Sequence, residues 1–167
     1  MKYSLLLFAV VMVGCTMVGY LFAQSIPMID QTKKGASVLV LGCIDPRFAN
    51  SLAWYLTHSQ ELHMDYDLVT LAGASLGVLQ TSYHSWQPMF LDHVRLAIDL
   101  HDIQEIWVFD HMDCGMYKAT LKLDKDDKED IHIEKLKELK EFLNEQFPKL
   151  GFSGFIINTH GSVSKVL

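Results

Sequence analysis

Five side chains in two short stretches carry the chemistry available to this chain. Leu41-Gly42-Cys43-Ile44-Asp45-Pro46-Arg47-Phe48 offers a thiol, a carboxylate and a guanidinium at alternate positions. Asp110-His111-Met112-Asp113-Cys114-Gly115 offers an imidazole and a second thiol three residues apart. Two sulfurs and an imidazole nitrogen form a soft donor set suited to zinc. The spacing of His111 and Cys114 lets one turn of chain present both to a single ion, and Gly115 is expected to relieve crowding behind Cys114. Three protein ligands leave a tetrahedral ion one open position, as catalytic zinc sites do. Asp45 can close that position as a fourth ligand. Alternatively it pairs with Arg47 and accepts a hydrogen bond from water on the ion. A planar guanidinium holds a carboxylate by two bonds, which an ammonium cannot. Elsewhere such a pair would read as an ordinary loop ion pair; two residues from a metal thiolate it does not.

Cys43-x-Asp45-x-Arg47 followed by His111-x-x-Cys114-Gly115 resembles the signature pair of the beta-class carbonic anhydrases. The resemblance implies one catalytic Zn2+ per chain held by Cys43, His111 and Cys114, with the Asp45–Arg47 dyad controlling the fourth position. It also implies the activity: reversible hydration of carbon dioxide to bicarbonate by a zinc-bound hydroxide, formed because zinc brings the pKa of bound water to roughly 7. Weaker agreement runs from about Ser37 to about Gly161, where Thr159-His160-Gly161 resembles the Val-His-Gly that ends the family's core sheet. Two departures stand out. Of the family's Arg-Asn-Ala-Gly segment only Ala72-Gly73 remains, with Thr70 and Leu71 before it, and Asp110 stands where the family usually has glycine. Hydrolysis of carbonyl sulfide or carbon disulfide would use the same attack on a linear electrophile. A non-catalytic zinc-binding module, with Asp45 permanently on the metal, is a third reading, and the missing Arg-Asn pair favours it.

The elements that must position these residues follow from hydrophobic patterning. Ala36 to Leu41 and Glu105 to Phe109 are apolar runs of the kind that form strands covered on both faces, and the two motifs sit at their carboxyl ends. Pro46 ends the first strand. Phe48 to Leu62 reads as a helix and Asp67 to Leu71 as a second strand leading into a glycine-bearing turn, Ala72 to Gly77. Gln87 to His101 and Ile133 to Phe147 are amphipathic helices, with a charged connector at Asp124 to Asp130 between the second motif and the latter. That connector fails as an EF-hand, because Glu129 occupies the position that needs glycine. Phe152 to Asn158 reads as a final strand, and Asp113 is a candidate helix cap. The expected fold is α/β, a mostly parallel central sheet of about four to five strands flanked by helices, in residues 31–167. His58, His63, His84, His93, His101 and His132 are expected on helices or loops as solvated or partly buried imidazoles.

The chain has 167 residues and a formal charge of −6. That balance gives no reason to expect nucleic acid, which favours a basic patch. Lys2 is followed by an uncharged run from Tyr3 to Phe22, and Ala23-Gln24-Ser25 supplies small residues at a signal-cleavage position. Residues 1–25 therefore read as a signal peptide or membrane anchor, since about 20 apolar residues also span a bilayer. Met12-Val13-Gly14-Cys15 loosely resembles a bacterial lipoprotein box. Each alternative places the domain in the cell envelope, periplasm or exterior, touching membrane only through this segment. There Cys43 and Cys114 could instead form a disulfide, although a disulfide requires none of Asp45, Arg47 and His111. The resemblance further implies a homodimer with pockets at the subunit boundary. The short stretch between the leader and the first strand leaves no room for the family's N-terminal arms, so a dimer through the sheet edge and a monomer both stay open.

Overall fold

Strand β1, Val38–Gly42, is buried along its whole length, as its unbroken apolar sequence requires. It is the second strand of a five-stranded sheet in a computed structural model that describes residue 30 and residues 32–123 and 128–167. The expected leader at residues 1–25 and part of the charged connector lie outside the described residues. Lys33–Leu167 forms one compact unit. Its further elements are α1 (Pro46–Trp54) running into a π-helical turn (Tyr55–Ser59), β2 (Tyr66–Thr70), α2 (Ala74–Leu79), α3 (Trp86–His101), β3 (Glu105–His111), α4 (Gly115–Leu121), α5 (Glu129–Gln146), β4 (Gly151–Ile157) and β5 (Val163–Lys165).

The sheet order is β2-β1-β3-β4-β5, parallel except for the antiparallel edge strand β5. Gly42 pairs with Phe109 in register, so Cys43 and Asp110-His111 emerge side by side at the carboxyl edge. Alternation along the strands divides the core into two layers. Leu39, Leu41, Ile106, Val108 and Ile156 face Phe90, Val94, Leu136 and Leu139 on one side. Val38, Val40, Phe109, Phe155 and Ile157 face Phe48, Leu52 and Leu56 on the other. The result is the expected α/β sandwich.

Four local expectations change. The first helix stops its α-helical course at Trp54 and closes with the π-helical turn instead of continuing to Leu62. The glycine-bearing turn folds into the short helix α2, entered through Gly73 at φ 78° and Ala74 at φ 40°. The last helix starts at Glu129, where Glu129 and Asp130 sit favourably in its first turn. That extra turn carries His132 into the core, fully buried against Tyr117 at 4.0 Å between ring centroids, so His132 is not the solvated or partly buried imidazole expected.

Candidate metal centre

Three donor atoms converge at the carboxyl edge of β1 and β3. Cys43 Sγ, a His111 ring nitrogen and Cys114 Sγ all lie within 4.8 Å of one another, and this is the one such group of three among the described residues. Cys43 follows β1 directly, His111 ends β3, and Cys114 is the N-cap residue of α4. The two cysteines are separate thiols, with no disulfide between them.

Each donor is held by its surroundings. His111 is 2 % exposed, stacks on Phe48 with ring centroids 4.0 Å apart, and donates from Nδ1 to the Met112 carbonyl at 2.9 Å. That bond fixes the tautomer and leaves the Nε2 lone pair for the centre, where it has no protein hydrogen-bond partner. Cys43 Sγ accepts the Gly73 N–H at 3.3 Å. The Cys114 thiol beside it, the His111 ring, and the Gly73 and Asp45 N–H groups lower the Cys43 pKa against the cost of burial. Cys114 moves the opposite way, raised first by the neighbouring Cys43 sulfur and then by burial, while the Tyr117 and Met116 N–H groups at the start of α4 pull it down. The pair thus gives up one proton readily and the next with difficulty, and a dication that binds both sulfurs takes the second proton's place. Burial opposes protonation of His111, but the Cys43 sulfur and the Met112 carbonyl outweigh it and raise its pKa. A readily formed Cys43 thiolate beside a second sulfur and a basic imidazole nitrogen attracts a soft dication. The donor set fits zinc.

Asp45 stands at the edge of this group, with Oδ2 3.9 Å from His111 Nε2. It is the N-cap of α1: Pro46 fits the first helical position and Oδ1 accepts the Arg47 N–H at 3.0 Å. The Arg47 side chain returns to the same carboxylate, Nη2 to Oδ2 at 2.7 Å and Nε to Oδ1 at 3.0 Å. The expected dyad therefore forms, and Arg47, first among its causes, holds Asp45 below the usual carboxylate range.

The spacing gave no sign of a third member, Asp113. Its Oδ2 accepts Arg47 Nη1 at 2.8 Å, its carbonyl accepts Nη2 at 3.1 Å, and Lys118 pairs with its Oδ1. Asp113 does not cap α4, since Cys114 takes that place. It sits instead in the left-handed region at φ 62°, which Asp tolerates better than most residues. Gly115 also has a different use from the one expected. A Cβ there would meet nothing within 4 Å, so no crowding is relieved. The glycine lines a cavity of about 280 Å³ together with Cys43, Ile44, Asp45, Pro46, Ala72, Cys114 and Met116, and a side chain would project into that space. A wider concavity of about 560 Å³, around Trp54, Tyr55 and His160, lies apart from the donors.

A family model described as "Putative carbonic anhydrase" matches residues 33–167. The chain belongs to that carbonic anhydrase family. An uncharacterized protein of Rickettsia bellii (strain RML369-C) is 31% identical over 140 residues, covering 81% of this chain and 85% of the relative. Another, from Rickettsia conorii (strain ATCC VR-613 / Malish 7), is 29% identical over 140 residues, covering 81% of this chain and 75% of its own length. The fold is that of the beta-carbonic anhydrases. The carbonic anhydrase of Streptococcus mutans superposes with TM-score 0.51 at 20% identity, over 89% of this chain and 92% of that one. A beta-carbonic anhydrase of Sordaria macrospora, described as tetrameric, gives 0.52 at 11% identity over 96% of both chains. The family thus carries here a Cys-His-Cys cluster able to bind a metal, with an Arg-held carboxylate beside it.

Proposed function

We propose that this carbonic anhydrase family member binds one zinc ion through Cys43, His111 and Cys114 and catalyses the reversible hydration of carbon dioxide. The observation that carries this is the position of Asp45: beside the three donors, yet turned into the Arg47 guanidinium. Zinc, when bound, supplies a Lewis acid that makes water acidic near neutral pH. The chain's own groups supply the rest. Arg47 keeps Asp45 ionised and off the donors, so the carboxylate serves as a hydrogen-bond acceptor that orients water at the open position. Ile44, Ala72 and Met116 give the cavity an apolar wall suited to a small, uncharged, linear substrate, and its opening to solvent lets bicarbonate leave. Carbonyl sulfide and carbon disulfide share that shape and remain the alternative substrates.

The non-catalytic module needs Asp45 on the metal, and the two bonds from Arg47 oppose that. The test is the stopped-flow hydration rate of the purified protein before chelation, after removal of metal and after zinc return, with carbonyl sulfide hydrolysis run in parallel. Activity lost and regained with zinc supports the proposal. A zinc-replete protein inactive toward both substrates supports the binding module.

The proposal extends to place. Residues 1–25 would carry the domain out of the cytoplasm or hold it at a membrane. A fusion of Met1–Ser25 to a reporter tests this: a soluble cytoplasmic reporter of unchanged length opposes it, and membrane retention that depends on Cys15 selects lipidation.

A further inference from the structure

Directly behind the metal centre lies a buried polar knot that the proposed chemistry does not use. Asp110, next to His111 in β3, is 1 % exposed, and Ser75, Tyr117 and His132 around it are at 0 %. Asp110 Oδ1 accepts the Ser75 N–H at 3.1 Å. Its Oδ2 accepts the Ser75 hydroxyl at 2.6 Å and the Tyr117 hydroxyl at 2.6 Å, and the two hydroxyls lie 2.8 Å apart. His132 Nδ1 stands 3.5 Å from Oδ2. A carboxylate is buried at such cost that it persists only when several donors satisfy it.

Two members of this knot sit on elements that carry donors, and two come from the helices α2 and α5. Asp110 precedes His111 by one residue. Tyr117 follows Cys114 by three in the first turn of α4. Ser75 follows Gly73 by two, and the Gly73 N–H is the one that reaches Cys43 Sγ. His132 comes from α5 and closes the group from the far side. One carboxylate therefore ties together the strand that ends in His111, the helix that Cys114 caps and the segment whose Gly73 N–H holds Cys43 Sγ.

We propose that Asp110 is a positioning residue: through Ser75 and Tyr117 it holds the three metal donors at their mutual spacing, and a metal bound there senses its loss. The proposal rests on the zinc-enzyme reading only in taking the cluster to bind a metal. Outer partners that orient metal ligands change affinity by about 10–100-fold when removed. A merely structural role would lower stability and leave the metal's spectrum alone.

The probe is Co2+ added to the full chain, with affinity measured by chelator competition and geometry by the thiolate-to-cobalt and d–d absorption bands. Tyr117→Phe and Ser75→Ala each remove one hydroxyl and little volume; Asp110→Asn removes the charge. Val94→Ala, a cavity in the core at a fully buried α3 position away from the knot, serves as the stability control. Tyr117→Phe and Ser75→Ala should bind Co2+ about 10–100-fold more weakly with shifted bands, and Asp110→Asn at least as weakly. Val94→Ala should lower Tm with the parent's spectrum intact. If Tyr117→Phe and Ser75→Ala keep the parent's affinity and bands while Tm falls, the positioning role is overturned. A parent that binds no Co2+ overturns the metal reading and the proposal together. Shifted bands in a protein that hydrates no carbon dioxide support the positioning role and overturn the activity alone.

Discussion

Arg47 holds Asp45 along two edges at once, with Nη2 2.7 Å from Oδ2 and Nε 3.0 Å from Oδ1. The remaining nitrogen, Nη1, is occupied by Asp113 at 2.8 Å, so the guanidinium is fixed from both sides. Removing it frees Asp45 to turn toward the donor group, where His111 Nε2 lies 3.9 Å from Oδ2. Arg47→Ala should therefore keep its zinc and lose hydration activity by about 10–100-fold. Arg47→Lys should recover part of it, since an ammonium cannot bond both carboxylate oxygens in the same plane. Asp45→Asn should also keep zinc and lose activity. Zinc content and hydration rate measured together on the three variants check this, and Arg47→Ala with parental activity contradicts it.

Cys43 and Cys114 each supply one of only two sulfurs in the donor group. Cys43→Ser or Cys114→Ser should drop the zinc bound per chain to background, as read by elemental analysis after dialysis. A parent isolated fully folded, metal-free and with a Cys43–Cys114 disulfide contradicts the metal centre itself.

Gly73 combines two demands that no other residue meets. Its φ is 78°, and a Cβ there would lie 2.7 Å from Met116 Cγ. Its N–H is the one held on Cys43 Sγ. Gly73→Ala should cost about 1–2 kcal/mol from the left-handed conformation alone, with more from the Met116 clash, and should weaken zinc binding because the Cys43 bond is displaced. Denaturant unfolding and zinc competition measure the two effects. Unchanged stability would mean that the loop relaxes freely around the new methyl.

Acid should weaken the Arg47 cluster in a defined direction. Arg47 holds Asp45 below the ordinary range; Lys118 first and Arg47 next hold Asp113 down to about 2. A carboxylate with its pKa depressed by folding adds stability above its unfolded value, about 3.9 for Asp, and loses it as pH falls through the folded one. In metal-free protein at low salt, the Tm difference between the parent and Arg47→Ala should be steady above about pH 5 and shrink from about pH 4 toward pH 2. Salt should reduce it, because Arg47 is exposed and Asp113 is partly open to solvent. A difference that grows on acidification contradicts the assignment.

The sheet and the donors were legible in sequence because both are local signals. Apolar runs located β1 to β4 within a few residues, and the spacings Cys43-x-Asp45-x-Arg47 and His111-x-x-Cys114 survive as geometry. What stayed hidden depends on distant partners. Asp113 meets Arg47 across 66 positions and Asp110 meets Ser75 across 35, which no spacing rule reports. The short helix α2 was masked by its glycines, and β5, three residues long, is too short for alternation to show. His132 did leave a signal. It falls one turn before Leu136, Leu139 and Leu143 on the same buried stripe, so extending that helix backwards finds it.

The most direct test of zinc-dependent reversible hydration is loss of oxygen-18 from labelled carbon dioxide at chemical equilibrium, followed while zinc is titrated into metal-free protein. Exchange should rise in proportion to added zinc and level off at one equivalent per chain, with Cys114→Ser flat throughout. Zinc bound at one per chain with exchange no faster than in buffer would contradict the account.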